Sequence, residues 1–317
     1  MPPKKRLEAA ASKAGRAAQR RRQGRLRDLR VGAAALKRYT EAVLRFCAWL
    51  WLEGELPAEQ LQALDLQLVR YIESLWAEGD AKALAGNAIS GVQHMLMVRR
   101  CFPAAWGVYS VWNRVEMPHR VPPMLLEIVL AMAGVFITRQ RRDLAVAVLL
   151  GFHCMLRTGE LLAVSGSTVQ LNGAFCGLVA LPLTKTSRRK GAQELVTVDD
   201  PFVGQLLASE LGARPDAGPL VRGSAQAFRA QFSDALKELG VHGIGLQPYS
   251  LRRGGATHDY MQHGDVARTI MRGRWSDMKV AKIYIVDGAA VLAQTRLTSV
   301  QHDRLQHYRS RFLGMSG

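Results

Sequence analysis

Pro248-Tyr249-Ser250-Leu251-Arg252-Arg253-Gly254-Gly255-Ala256-Thr257-His258 is the stretch on which the fold turns. Two adjacent arginines stand ahead of two glycines at what reads as a loop-to-helix junction. There, backbone N–H groups and the helix dipole already favour a phosphate. Taken alone, the stretch is equally a capped helix start with exposed arginines, so its meaning comes from what stands on either side.

Upstream, Leu156-Arg157-Thr158-Gly159-Glu160-Leu161-Leu162 places Arg157 and Glu160 three residues apart, able to pair across one helical turn. An ordinary surface pair is the plain reading, but an arginine directly after a buried apolar helix can also aim at an anion. Between the two segments, Phe175 to Leu183 and Glu194 to Val198 are short β-prone runs flanking a basic turn with Lys185, Arg188, Arg189 and Lys190. Such a turn is either a solvated loop or a lysine delivered to a leaving oxygen. Downstream, Arg272-Gly273-Arg274-Trp275-Ser276-Asp277 precedes Tyr284, nine positions after Trp275. A lone Trp or Tyr is most often core or interface.

In this order the segments resemble the catalytic domain of the tyrosine recombinase (phage integrase) family, over roughly residues 125 to 290. The residues that carry the likeness are the arginine of Arg-x-x-Glu-Leu-Leu, a hairpin lysine, the second arginine of Leu-Arg-Arg-Gly-Gly-Ala-Thr, Trp275 and Tyr284. The resemblance implies a mainly α fold with a small β-hairpin or sheet: a two-domain DNA clamp with an integrase-like, DNA breaking-rejoining catalytic domain. It implies that Arg157 and Arg252 grip the scissile phosphate and Tyr284 attacks phosphorus, giving a 3′-phosphotyrosyl link. Lys185, with Lys190 as fallback, protonates the leaving 5′-oxygen, Trp275 donates from its indole N–H, and Glu160 orients the site. Arg188, Arg189, Lys190, Arg253 and Arg274 are expected on the DNA. No cofactor and no metal is implied. The family's His-x-x-Arg reads Tyr249-Ser250-Leu251-Arg252 here, and a phenol, with an ordinary pKa of about 10, is a poor base near neutral pH. Two other readings stay open: a non-cutting DNA-binding remnant of a mobile element, and a type IB topoisomerase-like relaxing enzyme.

Composition agrees with a polyanionic partner. The 317 residues carry 43 Lys and Arg against 26 Asp and Glu, a formal net charge of +17. That points first to nucleic acid, here double-stranded DNA, and second to an anionic membrane surface. Residues 1–30 hold eleven of the basic residues against Glu8 and Asp28, a basic flexible tail, and the remainder of the chain is basic as well. The longest apolar runs, Ile128 to Ile137 and Leu144 to Leu156, fall short of the roughly 20 residues of a bilayer crossing. Cys47, Cys101, Cys154 and Cys176 form no C-x-x-C pair, which fits an intracellular protein, nuclear if eukaryotic and otherwise cytoplasmic.

Apolar steps of three and four from Leu36 to Leu50 predict one helix. Pro57 suits the first turn of a second, and Asp80 the cap of a third. Residues 31–113 thus form a helical core-binding domain of SAM-like type. Residues 114–124, with three prolines, form a linker, and 125–317 the catalytic domain. Within it, helices are expected over 125–139, 143–156, 160–164, 225–239, 254–262, 266–271 and 279–284. The stretch 289–312 supplies one or two closing helices, resembling the terminal helix through which family members assemble as dimers or tetramers.

Overall fold

A computed structural model of the chain describes residues 13–23, 28–117, 120–172, 176–181, 194–213, 217–285 and 297–314. It divides into two compact units, Met1–His119 and Arg120–Gly317. The fold is mostly helical, with one small antiparallel sheet. Among the described residues, no helix is long and apolar enough to cross a membrane, and no group of three or more His, Cys, Asp or Glu is placed to hold a metal ion.

In the first unit, α1 (Lys13–Gln23) lies within the basic N-terminal stretch, and α2 (Ala33–Leu52), α3 (Leu61–Ala77), α4 (Lys82–Met95) and α5 (Pro103–Val115) follow. Phe46, Leu50, Leu68, Ile72, Ile89 and Phe102 belong to the core shared by α2 to α5. Pro57 is not in the first turn of α3. Gln67 accepts from the Ala58 N–H at 2.9 Å and donates to the Leu56 carbonyl at 2.9 Å, which holds residues 56–58 as a loop ahead of the helix. Asp80 does not cap α4 either, since Ala81 occupies that position without a side-chain bond. The cap that matters is non-local. Buried Asp65 accepts from the Ala104 and Ala105 N–H groups at 3.0 and 2.9 Å, at the start of α5.

The second unit is built on α6 (Leu126–Thr138) and α7 (Arg142–His153), which are apolar nearly all round and buried accordingly. The short α8 (Thr158–Leu161) leads to a sheet of order β1-β2-β3: β1 (Val169–Asn172), β2 (Cys176–Ala180) and β3 (Leu195–Val198). Both pairings are antiparallel, with Val169 opposite Val179 and Val179 opposite Val196. β1 is not among the expected strands: it is four residues long, and its single apolar alternation, Val169 and Leu171, is too short to mark a strand. Then come α9 (Pro201–Gly212), α10 (Ala225–Glu238), α11 (Pro248–His263), α12 (Val266–Gly273), α13 (Met278–Ala281) and α14 (Ser299–Leu313). α14 seats on α6 of its own chain, where a Cβ on Gly134 would overlap the Tyr308 carbonyl. Phe312 is fully buried there, edge-on to Phe202 at 5.2 Å.

The helix that carries both arginines starts earlier than its sequence predicts. α11 begins at Pro248, its first-turn proline, so Arg252 and Arg253 lie in its second turn rather than in a loop before it. Gly254 and Gly255 are therefore not a phosphate-cradling loop. A Cβ on Gly254 would overlap the Met124 carbonyl oxygen, and one on Gly255 the Phe152 carbonyl oxygen. The glycines let α11 press main chain to main chain against the residues before α6 and against α7, which sinks Arg252 into the unit. Gly255→Ala is expected to destabilise the protein by about 1–3 kcal/mol by overpacking. Gly107→Ala in α5 meets nothing within 4 Å and should instead be neutral or gain roughly 0.5–1 kcal/mol. Thermal unfolding of the two variants checks the contrast.

Candidate active site

Arg252 is the hub. Its side chain is 0% exposed; Nη2 donates to the Gly273 carbonyl at 2.6 Å and Nη1 to the Met155 carbonyl. Met155, at φ 48°, and Arg274, at φ 57°, are both left-handed non-glycine residues, conformations that persist only where packing enforces them. Here the first turns the chain after α7 so that its carbonyl meets Arg252. The second turns the chain out of α12 and into Trp275.

Three guanidiniums surround one buried carboxylate. Glu160 accepts from the Arg157 backbone N–H at 2.9 Å, from Arg157 Nη1, and from Arg274 Nη2 at 2.8 Å, while Arg252 Nη1 lies 4.0 Å away. Burial pushes the Glu160 carboxyl up, but the Arg157 N–H and the charges of Arg274 and Arg157 outweigh it and hold the group below its usual range. Arg274 Nε also lies 3.7 Å from Glu194. Even with both carboxylates counted, one positive charge is left over. Arg252 registers that excess, since burial and then the neighbouring charges of Arg157 and Arg274 push it down to about 10.

Tyr284 stands on this cationic floor. Its ring lies 5.3 Å from Arg252 Cζ and 4.7 Å from the Trp275 ring, which itself lies 5.1 Å from Arg252 Cζ. Its carbonyl accepts from Thr257 Oγ1 at 3.2 Å. Its hydroxyl accepts a 2.6 Å hydrogen bond from Tyr249, in the first turn of α11. Burial pushes the Tyr284 phenol up. The bond from Tyr249, the charge of Arg252, the Trp275 indole N–H and the charge of Arg157 more than reverse that, so the phenol sits below its ordinary value. Tyr249 goes the other way: burial and donation to Tyr284 push it up to about 12. The indole acts through its dipole, because buried Trp275 Nε1 meets no acceptor in hydrogen-bonding geometry among the described residues, and neither does buried Arg252 Nε.

The structure thus brings together Arg157, Glu160, Tyr249, Arg252, Arg274, Trp275 and Tyr284. Arg253, on the same helix, is buried at 5% exposure, and burial and then Arg120 push its guanidinium down. His258 packs its ring on Phe152 at 5.6 Å. Lys185, Arg188, Arg189 and Lys190 lie outside the described residues. Sequence reasoning missed the Met155 and Gly273 carbonyls, which no side-chain pattern announces. It also missed Thr257, which stood in plain view in the deciding stretch.

No protein-family model and no curated protein sequence matches the chain. Solved structures do. A lambda integrase (75-356) dimer bound to a COC′ core site aligns with TM-score 0.54 at 14% identity, over 81% of this chain and 90% of that one. The XerH site-specific recombinase in its pre-cleavage complex with difH substrate aligns with TM-score 0.53 at 14% identity, over 82% and 79%. A lambda integrase tetramer bound to a Holliday junction aligns with TM-score 0.53 at 14% identity, over 81% and 73%. The chain has the fold of these proteins, including the mostly helical, small-sheet architecture expected of an integrase-like catalytic domain.

Two measurements probe the site's electrostatics. In a spectrophotometric titration of the seven tyrosines, one phenol should ionise below the ordinary range, vanish in Tyr284→Phe and move up in Tyr249→Phe, because the lost donor had favoured the phenolate. Glu160→Gln should destabilise at pH 7 by the lower part of about 3–5 kcal/mol, Arg157 being partly solvent-screened. The folded pKa of Glu160 is depressed, so its contribution is complete above the ordinary carboxylate range. It is lost as pH falls through the folded value, and urea unfolding at falling pH should show wild type and variant converging.

Proposed function

We propose that this protein is a site-specific DNA recombinase or integrase that cuts and rejoins DNA through a 3′-phosphotyrosyl intermediate. The observation that carries the reading is the placement of a tyrosine of lowered pKa directly over a buried arginine, in a cluster with one positive charge in excess. A phosphodiester supplies the missing anion. It also supplies acceptors for the buried N–H groups of Arg252 and Trp275, which are costly to leave unpaired.

In this reading Arg157 and Arg252 hold the non-bridging oxygens and stabilise the charge of the pentavalent transition state, with Arg157, 37% exposed, facing incoming DNA. Glu160, itself braced by Arg274, keeps Arg157 aimed. Tyr284 Oη forms the bond to phosphorus, the bond from phosphorus to the 5′-oxygen breaks, and Lys185 protonates that oxygen. The phosphotyrosyl ester conserves the bond for rejoining to a 5′-hydroxyl. Tyr249 is not the base: with its phenol pushed up to about 12, it assists by donating to the nucleophile's oxygen, and the Tyr284 proton leaves to water at the exposed rim. General-base help is worth about 10²–10⁴-fold, so its absence slows the step without abolishing it. The first unit is a further DNA-binding surface, and self-assembly on DNA completes the activity. The solved neighbours are DNA complexes of dimers and tetramers.

Incubation with supercoiled plasmid, quenched with SDS, should yield covalently linked protein and DNA, lost in Tyr284→Phe. Binding should weaken with salt at a log–log slope of about −0.9 per neutralised phosphate. Salt-sensitive binding with no covalent product would instead favour the non-cutting reading, to which the replacement of histidine by Tyr249 lends support.

A further inference from the structure

Behind the site, on the far side of α12, lies an ion-pair network that neither the motif residues nor the proposed chemistry uses. Asp259 of α11 is buried, with its side chain 7% exposed. Its Oδ2 accepts from Thr269 Oγ1 of α12 at 2.6 Å, and its Oδ1 lies 3.4 Å from Arg268 Nε and 3.2 Å from Arg272 Nε. Arg272 reaches onward: Nη1 donates to Asp199, the residue directly after β3, and Nη2 to the carbonyl of His153 at the end of α7, at 3.2 Å. His153 Nε2 in turn lies 2.7 Å from Asp199 Oδ1. One helix of eight residues is thereby fastened to α11, to α7 and to the end of β3.

That helix delivers three groups to the site at its C-terminal end. Gly273 offers the carbonyl that receives Arg252, Arg274 braces Glu160, and Trp275 stacks on Tyr284. Of α12, Thr269 and Gly273 are buried, and Ile270 is partly buried against the small cluster of Met155, Ala256, Trp275 and Ala281. Charge and hydrogen bonding add to that small apolar contact.

We infer that Asp259, Thr269, Arg272 and Asp199 are positioning residues, which set the height of α12 and through it the placement of Arg252, Trp275 and Tyr284 for attack on the phosphate. The inference rests on the DNA-cutting reading for its catalytic consequence and on geometry alone for its structural one. Asp199 also ties α12 to the end of β3. Supporting contacts of this kind govern whether a site is held tightly enough to work.

The chain provides a built-in reporter. Trp275 is the only tryptophan after residue 112, the other five, Trp49, Trp51, Trp76, Trp106 and Trp112, lying in the first unit. With 5-fluorotryptophan labelling of the full chain, and Trp275→Phe to assign its line, ¹⁹F NMR reads the site directly while five lines serve as controls. Thr269→Val removes the hydroxyl and keeps the shape, Thr269→Ser keeps the hydroxyl, and Asp199→Asn alters a carboxylate that is 39% exposed. The last variant tests the network without emptying a buried position.

Thr269→Val and Asp199→Asn should shift or broaden the Trp275 line alone and bind plasmid DNA within about twofold of wild type. They should slow covalent capture by about 10- to 100-fold, the scale of a small misplacement of reacting groups. Thr269→Ser should restore both line and rate. A Trp275 line unmoved in both variants overturns the inference, whatever happens to the rate, and so does a moved line with capture unchanged. If wild type forms no covalent product, the DNA-cutting reading fails, while the Trp275 line still decides whether the network sets the site.

Discussion

Removing the guanidinium of Arg252 from water is the constraint around which the second unit is organised. A charge buried without partners costs far more than a domain can spare, so it must meet acceptors fixed in advance. Two of those acceptors are main-chain carbonyls, and placing them there requires a left-handed turn at Met155 and the end of α12 at Gly273. The helix carrying the arginine must also sit deep enough to reach them. The paired glycines of α11 allow this by admitting two carbonyl oxygens where side chains would otherwise stand. Fold and site are the same problem here: what buries Arg252 also builds the floor beneath Tyr284.

The phenol of Tyr249 takes on a definite physical sense in that setting. Tyr249 donates to the Tyr284 oxygen, where an imidazole could accept, and the two phenols move apart, one up and one down. The pair resembles a single proton shared unequally, with the cationic floor deciding which oxygen carries the developing negative charge. The bond from Tyr249 is the largest of the effects that lower the Tyr284 phenol, and the charge of Arg252 comes next.

Much of this was legible in the sequence, and the limits have physical causes. Arg157, Glu160, Arg252, Trp275 and Tyr284 announce themselves by residue type and order, and the long helices by apolar spacing. Helix starts were less readable where their caps are distant, as with Asp65 serving α5 from nearly forty residues away. α9 is the opposite case: Asp200 accepting from the Val203 N–H at 3.0 Å and Pro201 in the first turn are local signals that could have been read. The glycines fit the expected loop-to-helix junction because a glycine admits either a turn or a close approach, and only the neighbouring chain decides between them. The network behind α12 was invisible because its members come from three helices and the residue after a strand, with no shared spacing.

The seats at Gly134, Gly254 and Gly255 are contacts in which at least one partner is the carbonyl oxygen of another segment. Main-chain atoms are the one feature every sequence carries, so a fold pinned by them depends on three small residues and leaves wide freedom elsewhere. Such an architecture can be written in very different sequences while its geometry stays the same. This chain aligns with a solved structure at 14% identity and a TM-score of 0.54, so the fold itself needs little whole-sequence likeness.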